Sequence, residues 1–189
     1  MKNIQLVIPM SGIGARFIAE GYTVPKPLIS VDGIPMIEHV INLYPGVKDI
    51  IFVCNEGHIR NTNMAEELHR ICPFGRVLLV EQSLKKGPVG AILECLDSIS
   101  DDKEIIVSYC DFGAEWDFNG FIEYARSENL DGVIAAYTGF HPHMLGEDHY
   151  AYMTLDENDH YVKSIQEKIP TKENKLAEIA SSGTYYFKS

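Results

Sequence analysis

PMSGIGARFIAEGYTVPKPL, residues 9–28, follows a short apolar run, Ile4–Ile8 (IQLVI), that is rich in β-branched residues. Such a run reads as a buried strand. Gly12 and Gly14 therefore fall in the loop at its end, followed by Arg16 and by Lys26 between Pro25 and Pro27. Glycine lets backbone N–H groups come close to an anion, and successive N–H groups form an anion-binding nest. Arg16 adds a planar, permanently charged fork suited to phosphate oxygens. The two prolines fix φ on either side of Lys26 and turn it into a placed point charge. Nest, fork and point charge together are what a triphosphate needs.

Two common phosphate loops do not account for the stretch. A Walker loop requires G-x-x-x-x-G-K-[ST]; here the second glycine comes too early and no Lys-Ser follows. A dinucleotide fingerprint requires G-x-G-x-x-G and an acidic residue about 20 positions on. Gly12–Phe17 reads G-x-G-x-R-F, without the third glycine, and the next long strand ends near Cys54.

Outward from the loop, apolar runs alternate with helical spacing. Asp49–Cys54, Arg76–Val80, Glu104–Ser108 and Gly132–Tyr137 read as strands. Ile37/Val40/Ile41/Tyr44, Met64/Leu68/Ile71, Val89/Ile92/Leu93/Leu96 and Phe118/Phe121/Ile122/Ala125 mark helices between them. Continuous apolar strands separated by amphipathic helices predict an α/β fold, a mainly parallel sheet covered on both faces. After Gly139 the pattern changes. Tyr150–Leu155 and Tyr161–Glu167 alternate around Asp156–Asp159 and predict an antiparallel hairpin, and Ala180–Phe187 a further strand. The chain of 189 residues predicts one domain, with a part at about 1–138 and a later, more antiparallel part at about 139–189.

Net charge is −11, which argues against a nucleic-acid surface and makes any phosphate site local. Cys54, Cys72, Cys95 and Cys110 are widely spaced and read as reduced thiols of a cytoplasmic protein rather than a disulfide frame. No signal-peptide pattern opens the chain, and no apolar run approaches about 18 residues, so no membrane span is expected. Assembly into a homo-oligomer stays open. His141, His143, His149 and His160 lack the spacing of a zinc site.

In open α/β sheets ligands sit at the carboxyl ends of strands. Gln82 lies past the third strand, with donor and acceptor suited to a nucleobase edge, and Gly87 would admit a flat ring. Asp111 ends the fourth strand and suits Mg²⁺, which takes one or two carboxylates plus phosphate oxygens. Trp116 and Asp117 beyond it read as a core residue and a helix N-cap. Asp111-Phe112-Gly113 spells a kinase tripeptide without the accompanying kinase motifs.

The loop G-x-G-x-R with its following P-K-P-L (Gly12, Gly14, Arg16, Pro25–Leu28) resembles the signature of nucleotidyltransferases that activate sugar phosphates and similar acceptors. That resemblance implies a Rossmann-like, GT-A-like nucleotidyltransferase fold. It implies a nucleotide held by Met10, Ser11, Gly12, Gly14, Arg16, Lys26, Gln82 and Gly87, with Arg16, Lys26 and Asp111 in the catalytic centre and Mg²⁺ on Asp111. Glu167-Lys168-Ile169-Pro170 resembles the family's E-K-P with one residue inserted. Ser182–Phe187 resembles its N-x-G-x-Y-x-F strand. Glu167, Lys168 and Gly183 are thereby implied in binding a phosphorylated small-molecule acceptor. Family members commonly continue past this strand and supply a second metal-binding aspartate there; with the residues ending at Ser189, the resemblance implies either a shortened domain or a second metal ligand from elsewhere. The segment Tyr109–Phe118 (YCDFGAEWDF) is similar to the capsule-polysaccharide branch, which joins CTP to phosphorylated glutamine.

Sugar-1-phosphate uridylyl, thymidylyl or guanylyl transfer is the nearest alternative, and a non-catalytic nucleotide-binding or regulatory protein the alternative of another class. A metal-dependent glycosyltransferase would want D-x-D where Asp111-Phe112-Gly113 stands. Val89, bulky beside Pro88, is expected to narrow the base pocket, ranking CTP first, UTP second and purines last.

Overall fold

The computed structural model describes residues 3–81, 87–141, 148, 150–157 and 161–188. The chain forms two compact units, residues 1–133 with 185–189, and residues 134–184.

In the first unit, β1 (Ile4–Met10) is buried at every position. It runs parallel to β4 (Asp49–Asn55), with Gln5 opposite Asp49 and Met10 opposite Cys54. It also runs parallel to β6 (Glu104–Ser108), with Ile4 opposite Glu104 and Val7 opposite Val107. β5 (Arg76–Val80) continues the parallel set on the far side of β4. The period of two explains the unbroken apolar runs. Ile4, Leu6, Ile8, Ile50, Phe52 and Cys54 face one core, shared with α2 (Met36–Asn42), α4 (Met64–Ile71) and α6 (Phe118–Ser127). Val7, Ile51 and Val53 face the other, with Val80 and with Ala91 of α5 (Gly87–Glu94). Each fully buried aliphatic side chain contributes roughly 1.5–3 kcal/mol, so the central strands anchor the unit.

Strand β1 runs two residues further than the apolar run predicts, through Pro9. Pairing with β6 ends at Val7, so the proline, which has no N–H to give, stands where only β4 is in register. Three short elements add to the predicted set. They are α1 (Ala15–Ala19), the hairpin of β2 (Ser30–Val31) and β3 (Ile34–Pro35), and α3 (Glu56–Asn61). Trp116 packs in the core against Tyr44, Phe118 and Phe121 and donates Nε1–H to the Leu43 carbonyl at 3.1 Å. Asp117 caps α6 by accepting the Gly120 N–H at 2.9 Å.

Glu104 accepts from Arg126 Nε at 2.8 Å and from the Tyr186 hydroxyl at 3.0 Å. The Arg126 hydrogen bond holds its carboxyl below the usual range, against burial and with help from Tyr186. A depressed folded value contributes stability above the ordinary glutamate value of about 4.3 and loses it as pH falls through the folded value. We expect melting temperature to fall below about pH 5, and Glu104→Gln to flatten that acid limb while lowering stability at neutral pH. Thermal melts of both proteins from neutral to acid pH check this, and parallel acid limbs would remove Glu104 from the account.

The second unit is antiparallel. β8 (Ala151–Leu155) pairs β9 (Val162–Glu167), with Ala151 opposite Glu167. β8 also pairs β10 (Ile179–Phe187), with Ile179 opposite Met153. Ser182 donates to the Ala135 carbonyl of β7 (Gly132–Tyr137) at 2.9 Å.

Candidate active site

The glycine loop leaves β1 at Met10 and closes on Lys26. Gly14 has φ +70°, a left-handed conformation, and a Cβ built there would meet the Lys26 Cβ at 3.3 Å. Both facts favour glycine at this position. Gly12 has nothing within 4 Å of a built Cβ, so its backbone faces open space. Lys26 opens a 3₁₀ turn, Lys26–Leu28, between Pro25 and Pro27, both buried. Its ammonium lies 5.5 Å from the centre of the Phe17 ring and forms an ion pair with Asp111 just past β6. That pair joins residues 85 positions apart.

These residues border an open cavity of about 350 Å³. It is lined by residues 9–14, by Lys26 and Pro27, by Gly87 and Pro88 at the start of α5, and by Tyr109, Cys110 and Asp111. Met10, Ser11, Gly12, Gly14, Lys26, Gly87 and Asp111 are thus brought together. Arg16 is not among the lining residues; it stands exposed in α1, and its side chain bonds to no other described residue. Gln82 lies outside the described residues, as do His143, His149 and His160. Val89 does not narrow the cavity. It is 66% exposed and lies outside the lining, because the helix turns it away and leaves Pro88 at the wall.

Cys110 is buried, and burial, reinforced by the Asp111 charge, pushes its thiol up to about 12. It therefore lines the cavity as a protonated thiol, not a nucleophile. Cys54, Cys72 and Cys95 are likewise free and buried. The donor set offers Mg²⁺ one partly exposed carboxylate, Asp111, beside open space, and the described residues hold no cluster of three His, Cys, Asp or Glu. Such a set fits Mg²⁺ when phosphate oxygens and water complete its shell.

Two residues outside the expected site set also bear on the loop and cavity. Tyr109 lines the cavity and packs its ring 6.1 Å from that of Tyr185. Asn55, at the end of β4, donates to the Ser11 carbonyl at 3.2 Å. An asparagine at a strand end carries no motif, the Tyr109–Phe118 segment assigns Tyr109 no contact of its own, and both contacts depend on sheet order.

In the second unit, Glu167 ends β9 and is exposed, paired with Lys168 at 3.1 Å. Lys168 has φ +62°, and its N–H donates to the Tyr150 carbonyl at 2.8 Å. The turn beyond is fixed by Glu178, which is fully buried. It accepts from Thr171 N–H at 2.6 Å, from the Thr171 hydroxyl at 2.8 Å and from Lys172 N–H at 2.5 Å. Gly183 has φ +79° inside β10, a backbone reason for glycine there.

The family profile described as nucleotidyl transferase matches residues 6–189. The chain belongs to that family. Glucose-1-phosphate cytidylyltransferase of Salmonella typhimurium is 26% identical over 187 residues, taking in 87% of this chain and 69% of that protein. UTP–glucose-1-phosphate uridylyltransferase of Escherichia coli K12 is 25% identical over 129 residues, 57% of this chain and 43% of that protein. Among solved structures, the nucleoside-diphosphate-sugar pyrophosphorylase from Vibrio cholerae RC9 superposes with a TM-score of 0.69 at 19% identity, over 97% of this chain and 73% of that one. What the last comparison shows is the shared fold, a mostly parallel mixed sheet flanked by helices. No helix among the described residues is long and apolar enough to cross a membrane.

Proposed function

We propose that this family member moves CMP from CTP to a phosphorylated small-molecule acceptor, with release of pyrophosphate. The observation that carries the reading is the single cavity shared by the glycine loop, Lys26 and Asp111. An acceptor phosphate oxygen attacks the α-phosphorus; the bond from that phosphorus to the bridging oxygen of the β-phosphate breaks, and the pair of electrons leaves with pyrophosphate. A phosphate monoester is already ionised near neutral pH, so no general base is needed, and catalysis is positioning plus electrostatics. The N–H groups from Ser11 to Gly14 and the Arg16 fork bind the β- and γ-phosphates. Lys26 is the cation to meet the charge that develops at the α-phosphate. Asp111 is the residue to hold Mg²⁺, which supplies charge neutralisation on the phosphates when bound. Gln82 and Gly87 are the proposed base contacts, and Glu167, Lys168 and Gly183 the proposed acceptor contacts.

CTP is favoured by the similarity to a cytidylyltransferase at 26% identity and by the Tyr109–Phe118 segment. The same segment supports a phosphorylated glutamine as acceptor, and with it a cytoplasmic role in capsular polysaccharide modification. Competition among CTP, UTP, ATP and GTP for the Mg²⁺-containing protein is expected to rank CTP first. A clear preference for ATP or GTP would overturn the cytidylyl reading. Pyrophosphate release with a panel of phosphorylated acceptors then identifies the second substrate, and release with none would leave a nucleotide-binding protein.

A further inference from the structure

Asn55 is 4% exposed, and both ends of its amide are engaged. Its Oδ1 accepts from the N–H groups of Gly57 at 2.8 Å and His58 at 3.3 Å and so caps α3. Its Nδ2 donates to the Ser11 carbonyl at 3.2 Å. Because Cys54 is in register with Met10, Asn55 stands level with the first residue of the glycine loop. The described backbone has no cis peptide bonds. In a trans peptide the C=O and the following N–H point in opposite directions. With the Ser11 carbonyl held by β4, the Gly12 N–H must point away from β4, and Gly12 is exposed with no atom within 4 Å of a built Cβ. We infer that Asn55 is a positioning residue for the triphosphate: it fixes the direction of the Gly12 N–H donor from behind the loop. This rests on the loop being the triphosphate site.

The diagnostic variant is Asn55→Asp. A carboxylate keeps the acceptor for Gly57 and His58, so the helix cap survives. It replaces the donor to Ser11 with an oxygen that repels the carbonyl. Asn55→Ser, which keeps a capping hydroxyl and lacks the amide, carries the test if the aspartate variant does not fold. Calorimetric titration with CTP, UTP, ATP and GTP in MgCl₂ is run beside thermal melts and steady-state kinetics. We expect triphosphate Kd to rise about tenfold, the order of one lost, partly buried hydrogen bond. Melting temperature should drop by no more than the cost of that hydrogen bond and stay well above the assay temperature, and kcat at saturating triphosphate should hold. Unchanged Kd overturns the inference, and so does a loss of affinity that only tracks a loss of melting temperature. If the unaltered protein binds none of the four, the triphosphate reading itself falls, and the inference with it.

Discussion

Asp111→Asn is expected to lower turnover by at least about a hundredfold, the size of loss seen when one preorganised group is removed from developing charge. The substitution keeps the shape of the side chain and removes its charge. Folding should be spared, because the carboxylate is 36% exposed and Lys26 is its partner at the edge of an open cavity. Partly exposed ion pairs contribute about 1 kcal/mol or less. Asp111 has two things to lose, its hold on Lys26 and the proposed hold on Mg²⁺. Mg²⁺ titration separates them. If the carboxylate holds the metal, the variant needs far more Mg²⁺ to reach its residual rate. If it only places Lys26, kcat falls and the Mg²⁺ dependence stays. Unchanged Mg²⁺-dependent turnover would remove Asp111 from the centre altogether.

What could be read from the sequence here was what is local and dense. Two cores face opposite sides of β1 and β4, so both strands are apolar at nearly every position and stand out as runs. Gly12, Gly14, Lys26 and its prolines lie within a few residues of one strand end, and a strand end is where an α/β sheet binds ligands. The failures have equally physical causes. The α1 helix has no buried residue, so no apolar period announces it, and Arg16 reads as part of a loop. Asn55 and Ser11 meet only because β4 lies beside β1, a contact across 44 positions. Val89 stays out of the cavity although its neighbour Pro88 lines it, because each step along a helix rotates the side chain by about 100°. The left-handed φ of Gly183 is a backbone fact that a motif records as glycine without giving its cause.

Lys26→Ala should damage kcat more than triphosphate affinity, by about a hundredfold or more. The expectation comes from how many restraints act on this one side chain. Buried prolines flank it, Gly14 packs against its Cβ at the separation a glycine allows, Phe17 lies beneath the ammonium, and Asp111 holds its end. A lysine ordinarily keeps about 2 kcal/mol of rotamer entropy; here much of that freedom is already given up before any ligand arrives. Preorganisation of this kind acts on charge that appears in the transition state, and so on kcat, whereas uniform binding acts on KM. Arg16, exposed and outside the cavity lining, is the contrast: Arg16→Ala should raise the KM for triphosphate with a smaller effect on kcat. Lys26→Arg should not restore the rate, because a planar fork does not fit a place shaped by Gly14 and Phe17 for a linear stem and a compact charge. Steady-state kinetics of the three variants, with triphosphate and acceptor varied in turn, test the division. If Lys26→Ala changes KM alone, the two cations exchange roles, and the restraints on Lys26 serve ground-state binding.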